Sequence, residues 1–101
     1  MTGPGRTGGV PLLAAVDVGT TGARAAAFDL DARLVAEVRH GYRTSVPQVG
    51  WAEQDAVDWA EGAVAALAGL ARRVGRHRRI LAIGLTGQCP TVVAVASRPT
   101  G

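Results

Sequence analysis

An apolar run at residues 12–16 leads directly into the polar turn DVGTTG at residues 17–22. A run without polar alternation is typical of a strand that is covered on both faces. The two glycines and two threonines permit a tight reversal of the chain, and residues 23–28 follow as a second strand. The sequence therefore predicts a buried strand, a sharp turn and a second strand at its start.

The rest of the chain predicts further strands and one helix. Residues 29–32 form a predicted turn, and the alternation over residues 33–42 predicts a third strand, which completes an antiparallel meander. Strands are also predicted over residues 80–86 and 91–96, separated by a turn at 87–90. Between the third strand and the strand at 80–86, Asp55 is the predicted N-cap of a helix that Gly75 ends. Its predicted apolar stripe consists of Val57, Ala60, Val64, Leu67, Ala71 and Val74.

This order of elements matches the opening of a ribonuclease-H-like, or actin-like, α/β fold with a mixed sheet. Such a sheet needs helices on both faces, and only one helix is predicted, so one apolar face is expected to be bare. A length of 101 residues allows one domain at most. We expect residues 1–11 to form a flexible tail and residues 12–101 to form the truncated opening part of the first domain of a larger protein.

Composition excludes several kinds of chemistry. All 11 basic residues are arginine, which rules out a Walker A phosphate loop and Schiff-base catalysis, because both need lysine. A single cysteine, Cys89, cannot form an internal disulfide and predicts a reducing, cytosolic location. His40 and His77 lie far apart in the sequence without neighbouring ligands, so no zinc site is expected. No apolar run approaches the roughly 20 residues that span a bilayer.

The turn after the first strand carries the groups of a phosphate site. The Asp17 carboxylate, at a strand end, can hold hydrated Mg²⁺ beside phosphate oxygens. Gly19 permits close approach of the backbone, and turn N–H groups can form an anion-binding nest. Thr20 and Thr21 add hydroxyl donors, and Arg24 adds a charged one. The alternative is a plain β-turn in which Asp17 is only a local acceptor.

Three stretches together resemble the FGGY carbohydrate kinase family, which includes xylulokinase, gluconokinase and glycerol kinase. AVDVGTTGAR at residues 15–24 is similar to the family's first phosphate motif. GWAEQD at 50–55 is similar to the stretch before its first helix, and IGLTGQCPT at 83–91 to a later turn. The spacing among the three is also similar to that of the family.

The resemblance implies an ATP-dependent kinase with two actin-like domains and a cleft between them. It places Asp17 as the carboxylate associated with Mg²⁺, and Gly19, Thr20, Thr21 and Arg24 at the ATP phosphates. The turn at Gln88, Cys89 and Pro90 would approach a sugar or polyol. The family's catalytic base lies downstream, so no catalytic residue is assigned here and the isolated chain is expected to be inactive.

The turn at residues 88–90 departs from the subfamilies. Glycerol kinases continue with Arg-Glu, where this chain has Cys89 and Pro90. Xylulokinases continue with Met-His-Gly, which Cys89, Pro90 and Thr91 do not match either. The sequence as a whole is more similar to those of xylulokinases. The alternatives are a non-catalytic ATP-binding or interaction fragment of the actin-like superfamily and, ranked last, a ribonuclease-H-like nuclease, because only Asp17 sits at the required strand end.

Residues 72–79 contain five of the 11 arginines. They could form a nucleic-acid patch or a solvated helix terminus, and we favour the terminus because no aromatic residue interleaves the cluster. Trp51 is interpreted equally as a ligand contact or a loop anchor, whereas Trp59 is expected in the core. The predicted partner is a sugar or polyol, without nucleic acid or membrane, and homodimerisation of a full-length parent is left open.

Overall fold

The computed structural model describes residues 9–88 and 91–96. In this part of the chain the elements are β1 (Val10–Val18), β2 (Gly22–Phe28), β3 (Leu34–Gly41), α1 (Ala56–Val74) and β4 (Arg78–Gly87). Each of these five elements was predicted, and its ends lie within two residues of the expected positions. The predicted last strand is wrong, because residues 91–96 form no strand. Val92 is 97% exposed there, and a strand needs a paired neighbour for its N–H and C=O groups.

The sheet is mixed, as predicted, with the strand order β3-β2-β1-β4. Strands β1, β2 and β3 form the expected antiparallel meander. Strand β4 returns beside β1 and runs parallel to it. The carboxyl ends of β1 and β4 therefore meet at one edge of the sheet, where the loops that follow them come together.

Helix α1 begins and ends where its capping residues predict. The Asp55 side chain accepts a hydrogen bond from the Val57 N–H at 2.9 Å, which satisfies one of the N–H groups that a first turn leaves unpaired. Gly75 ends the helix with φ = 80°, and its N–H donates to the Ala71 carbonyl. Arg72 and Arg73 lie in the last turn, where the helix dipole favours positive charge.

The face of α1 that packs on the sheet differs from the predicted stripe. Its buried residues are Gly62, Ala66, Leu70 and Val74, so only Val74 of the predicted stripe is fully buried. Small residues let the helix lie close to the sheet: a Cβ at Gly62 would come within 3.0 Å of the Tyr42 ring. Val64 of the predicted stripe is instead 66% exposed beside a groove along β4.

The core lies between α1 and one face of β1 and β2, and the opposite face of the sheet is bare, as expected. Leu13, on that face, is 42% exposed. Among the described residues, no helix is both long enough and apolar enough to cross a membrane. The buried core residues are Leu12, Ala14, Val16, Ala23, Ala25, Ala27, Ala66, Leu70 and Val74.

Candidate functional site: a phosphate loop between two pockets

The loop between β1 and β2 is a tight turn, and at Gly22 it leaves no room for a larger residue. The Gly19 N–H donates to the Gly22 carbonyl at 3.0 Å and closes the turn. A Cβ at Gly22 would lie 2.7 Å from the His40 carbonyl oxygen, which is backbone and cannot move aside as a side chain could. Residues 19–22 are therefore held against β3 as well as between their own strands.

A row of polar side chains crosses the sheet at the level of this loop. Asp17 pairs in register with Thr86 on one side and Arg24 on the other, and Arg24 pairs in turn with Arg39. Register partners in adjacent strands share a face of the sheet. Their chain neighbours Val16 and Ala25 are buried under α1, so the polar row lies on the opposite face.

A pocket of about 540 Å³ lies beside this row. We call it the phosphate pocket, after the ligand that the sequence predicts for it. Two guanidinium groups and a single carboxylate bring both signs of charge to its wall, which suits a polyphosphate with a bound cation. Arg24 Nη1 lies 3.3 Å from Glu37 Oε2, and both side chains remain well exposed. The pocket is lined by Asp17, Gly19, Thr20, Thr21, Gly22, Ala23, Arg24, Arg39, His40 and Gly41.

On the α1 side, Gln54 joins the loop to the start of the helix. Its Nε2 donates to the Thr20 carbonyl and to Thr44 Oγ1, each at 2.7 Å. Its Oε1 accepts a hydrogen bond from Trp59 Nε1 at 2.9 Å. Both ends of the amide are therefore engaged, and the side chain has one defined orientation.

Tyr42 holds the same loop from the end of β3. Its hydroxyl donates to the Gly19 carbonyl, and its N–H donates to the Thr21 carbonyl at 3.2 Å. Burial, together with the nearby negative charge of Asp17, raises the pKa of the Tyr42 hydroxyl above its ordinary value of 10.0. The hydroxyl is therefore a protonated donor at neutral pH.

A second pocket of about 190 Å³ opens at the carboxyl ends of β1 and β4. We call it the neutral pocket, because none of the described residues that line it has a charged side chain. Trp59 forms part of its wall and is half-buried, whereas the sequence predicted it in the core. Trp51 is 53% exposed and lies outside this lining. The lining residues are Val18, Gly19, Gln54, Trp59, Gly87, Gln88 and Thr91.

Gln88 connects the two pockets. Its Oε1 accepts from Thr20 Oγ1 at 3.1 Å, and its N–H donates to the Val18 carbonyl at 3.1 Å. Gly19 lines both pockets, so the loop is the wall between them. The structure thus brings together Asp17, Gly19, Thr20, Thr21, Arg24 and Gln88, whereas Cys89 and Pro90 lie outside the described residues.

Three residues of this site were missed by sequence reasoning. Arg39 reaches the phosphate pocket through its register with Arg24, and Tyr42 reaches the loop through the β2–β3 pairing. Neither carries a local signal in the sequence. Gln54 lies inside the GWAEQD stretch, which resembles the family's sequence before its first helix. Its position just before the N-cap is the signal that could have identified it.

A magnesium site here would depend on one protein carboxylate. Within residues 9–88 and 91–96, no group of three His, Cys, Asp or Glu side chains could hold a metal ion. Mg²⁺ is commonly bound by one or two carboxylates, substrate phosphates and water. Asp17 on the wall of the phosphate pocket fits that donor set.

The three stretches that meet at this loop also match a known family. A model described as the FGGY family of carbohydrate kinases, N-terminal domain, matches residues 12–98. The chain belongs to this family. The expected family is thereby confirmed on almost the whole of the described chain.

Three of the relatives are kinases named for different substrates, namely glycerol, xylulose and gluconate. Glycerol kinase from Azotobacter vinelandii is 38% identical over 82 residues, which are 80% of this chain. The structure of xylulose kinase from Rhodospirillum rubrum matches 78% of the chain with a TM-score of 0.72 and 34% identity. Gluconate kinase from Lactobacillus acidophilus matches 76% with a TM-score of 0.66 and 28% identity. The chain spans about 16% of the length of these relatives.

The comparisons also confirm the fold class. The solved relatives are FGGY kinases, which have the actin-like ATPase fold that the sequence predicted. The four-stranded mixed sheet with α1 on one face is the corresponding part of that fold.

Proposed function

We propose that this chain forms the phosphate-binding part of an ATP-dependent carbohydrate kinase, which transfers the γ-phosphate of ATP to a sugar or polyol hydroxyl. The observation that carries the proposal is that Gly19 forms the wall between the phosphate pocket and the neutral pocket. Phosphoryl transfer depends on positioning two substrates and stabilising charge. One loop that touches both pockets is suited to align a phosphate with an acceptor hydroxyl.

In this proposal the polyphosphate lies along the polar row. Arg24 and Arg39 would neutralise phosphate oxygens, and the loop would add main-chain N–H groups. Asp17 would hold Mg²⁺, which screens the phosphate charge when it is bound. Thr20 and Thr21 line the same pocket and would contact the phosphates as the resemblance implies.

The acceptor is proposed to be a neutral sugar of the xylulose type, bound in the neutral pocket. The amide nitrogen of Gln88 and the hydroxyl oxygen of Thr91 offer hydrogen bonds to sugar hydroxyls, and Trp59 offers an apolar wall. An aldonate would bring a carboxylate to a lining without a cation, which disfavours it. Cys89 and Pro90 replace the Arg-Glu pair of glycerol kinases, which disfavours glycerol.

The isolated chain is proposed to bind ligands without turning them over. General-base catalysis needs a carboxylate or imidazole within hydrogen-bond reach of the acceptor hydroxyl. Among the described residues, none with such a side chain lines the neutral pocket. A division into a tail, 1–11, and part of a first domain, 12–101, is also proposed, although the last two residues of that tail lie in β1. The remaining proposals are a cytosolic location and homodimerisation of a full-length parent.

Tryptophan fluorescence tests the acceptor preference on the 101-residue chain itself, and an activity assay tests its inactivity. In a Trp51→Phe background, Trp59 alone reports on the neutral pocket, and we expect D-xylulose to change its emission at lower concentration than glycerol or gluconate. A coupled assay of ADP release with the same compounds should show no turnover. Equal responses to all three compounds would overturn the preference, and ADP release above a no-acceptor control would overturn the inactivity.

A further inference from the structure

We propose that Tyr42 and Gln54 are positioning residues that aim the main-chain N–H groups of Thr20 and Thr21 into the phosphate pocket. The inference rests on the proposed nucleotide-phosphate function. Neither side chain lines this pocket. Both act on the orientation of peptide groups that do.

The first step is that successive carbonyls of the loop are held on one side. The Tyr42 hydroxyl donates to the Gly19 carbonyl, and Gln54 Nε2 donates to the Thr20 carbonyl at 2.7 Å. Tyr42 extends from the end of β3 beneath α1, where its ring lies against Gly62. Gln54 directly precedes the helix N-cap. Both donors therefore approach the loop from the side of α1.

The second step follows from the planar trans peptide. In such a unit the C=O and the N–H of the next residue point in opposite directions. When Tyr42 holds the Gly19 carbonyl, the N–H of Thr20 points away from α1. When Gln54 holds the Thr20 carbonyl, the N–H of Thr21 does the same. Both N–H groups then face the side of the polar row, where Thr20 and Thr21 line the phosphate pocket.

The third step is that the two donors are themselves fixed. A Cβ on Gly62 would lie 3.0 Å from Tyr42 Cδ1, so the ring is packed closely on the helix. The Gln54 amide is oriented by Trp59 Nε1 at 2.9 Å and Thr44 Oγ1 at 2.7 Å. N–H groups that are oriented before a ligand arrives stabilise its negative charge without further reorganisation.

Two variants and one matched control test this inference. Tyr42→Phe keeps the ring and removes the hydroxyl donor, and Gln54→Met keeps the length of the side chain and removes its amide donors. Ser45→Ala removes a nearby hydroxyl that donates to the Glu53 carbonyl instead of to the loop. We expect each positioning variant to weaken binding of Mg²⁺ and inorganic tripolyphosphate by about 2- to 13-fold, the equivalent of one lost hydrogen bond, whereas Ser45→Ala binds as wild type does.

Nuclear magnetic resonance of the full 101-residue chain supplies a readout that needs no ligand. We expect Tyr42→Phe to shift the carbonyl carbon of Gly19, and Gln54→Met to shift that of Thr20, with faster amide motion at Thr20 and Thr21. With wild type, tripolyphosphate should shift the Thr20 and Thr21 amides at saturation. Far-ultraviolet circular dichroism establishes that each variant is folded.

The outcomes distinguish this inference from the proposed function. Wild type that fails to bind tripolyphosphate overturns the phosphate-binding function. The positioning role is then decided by loop motion alone, which supports it if increased in the variants and overturns it if unchanged. Wild type that binds without shifting the two amides, or variants that bind as tightly as Ser45→Ala, would overturn only the positioning role.

Discussion

Thr20 and Gln88 lie 68 positions apart in the sequence, yet Thr20 Oγ1 donates a hydrogen bond to Gln88 Oε1 at 3.1 Å. The contact exists because β1 and β4 are parallel neighbours whose carboxyl ends meet. It joins a side chain on the wall of the phosphate pocket to one on the wall of the neutral pocket. The two proposed ligand sites are therefore in direct contact through this pair.

A double-mutant cycle measures that contact. We expect Thr20→Val and Gln88→Leu to show a coupling of about 0.5–1.5 kcal/mol in the free energy of unfolding, because each change alone removes the same hydrogen bond. Thr91→Val is the control partner for Thr20→Val, since Thr91 Oγ1 donates to the Gln88 carbonyl instead of its side chain. Urea denaturation gives the values, and additive effects of Thr20→Val and Gln88→Leu would contradict the contact.

Gly22 and Gly41 face each other in register and make a matched pair of variants. A Cβ at Gly22 would lie 2.7 Å from the His40 oxygen, whereas one at Gly41 would lie at an ordinary 3.7 Å from the Thr21 oxygen. We expect Gly22→Ala to lower the free energy of unfolding by about 1–3 kcal/mol through overpacking. Gly41→Ala should leave it nearly unchanged. Equal urea midpoints for the two variants would show that the loop is not held as tightly as described.

Tyr42 is the single tyrosine of the chain, so tyrosinate absorbance reports on it alone. Burial first, and the charge of Asp17 second, raise the pKa of its hydroxyl above 10.0. The folded state thus favours the neutral hydroxyl, and this contribution to stability is present below pH 10.0 and is lost as the pH rises through the folded pKa.

Spectrophotometric titration should accordingly give a midpoint above that of the urea-unfolded chain. Asp17→Asn should lower the Tyr42 pKa only in part, because burial is the larger cause. A folded midpoint at or below the unfolded one would contradict the burial of the hydroxyl.

Arg24 and Glu37 form an ion pair whose side chains are 47% and 38% exposed. Exposed pairs contribute about 0–1 kcal/mol to stability, so Arg24 is available to a phosphate at little cost. We expect Arg24→Gln to weaken tripolyphosphate binding about 10-fold, as loss of a charge-assisted hydrogen bond does, and Glu37→Gln to leave it equal or tighter. Calorimetry at low and high salt checks this, and weaker binding by Glu37→Gln would contradict it.

Local features made much of the fold predictable. The caps at Asp55 and Gly75 involve neighbours within four residues, so their positions could be inferred from residue type. The loop at residues 17–22 was likewise predicted, because its glycines and threonines determine the turn themselves. The orientation of α1 was not, because small residues such as Gly62 and Ala66 decide how closely the helix approaches the sheet.

The candidate site was also predictable only where its residues lie close together in the sequence. Asp17 and Arg24 belong to one local motif and were predicted together. Arg39 and Tyr42 reach the site only through the register between β2 and β3. A slip of one residue would move a strand's side chains to the other face of the sheet. Residues 91–96 have strand-like composition, yet Val92 is 97% exposed without a ladder, and composition alone cannot supply a partner strand.

The central claim is that the loop after β1 binds a nucleotide polyphosphate with Mg²⁺ at Asp17. The most direct measurement is the affinity of the chain for ATP with and without Mg²⁺, in wild type, Asp17→Asn and Asp31→Asn. Asp31 lies in the β2–β3 turn, and its variant changes the net charge equally. We predict that Mg²⁺ tightens ATP binding by wild type and Asp31→Asn but not by Asp17→Asn. An equal effect of Mg²⁺ on all three proteins, or no binding of ATP by wild type, would contradict the account.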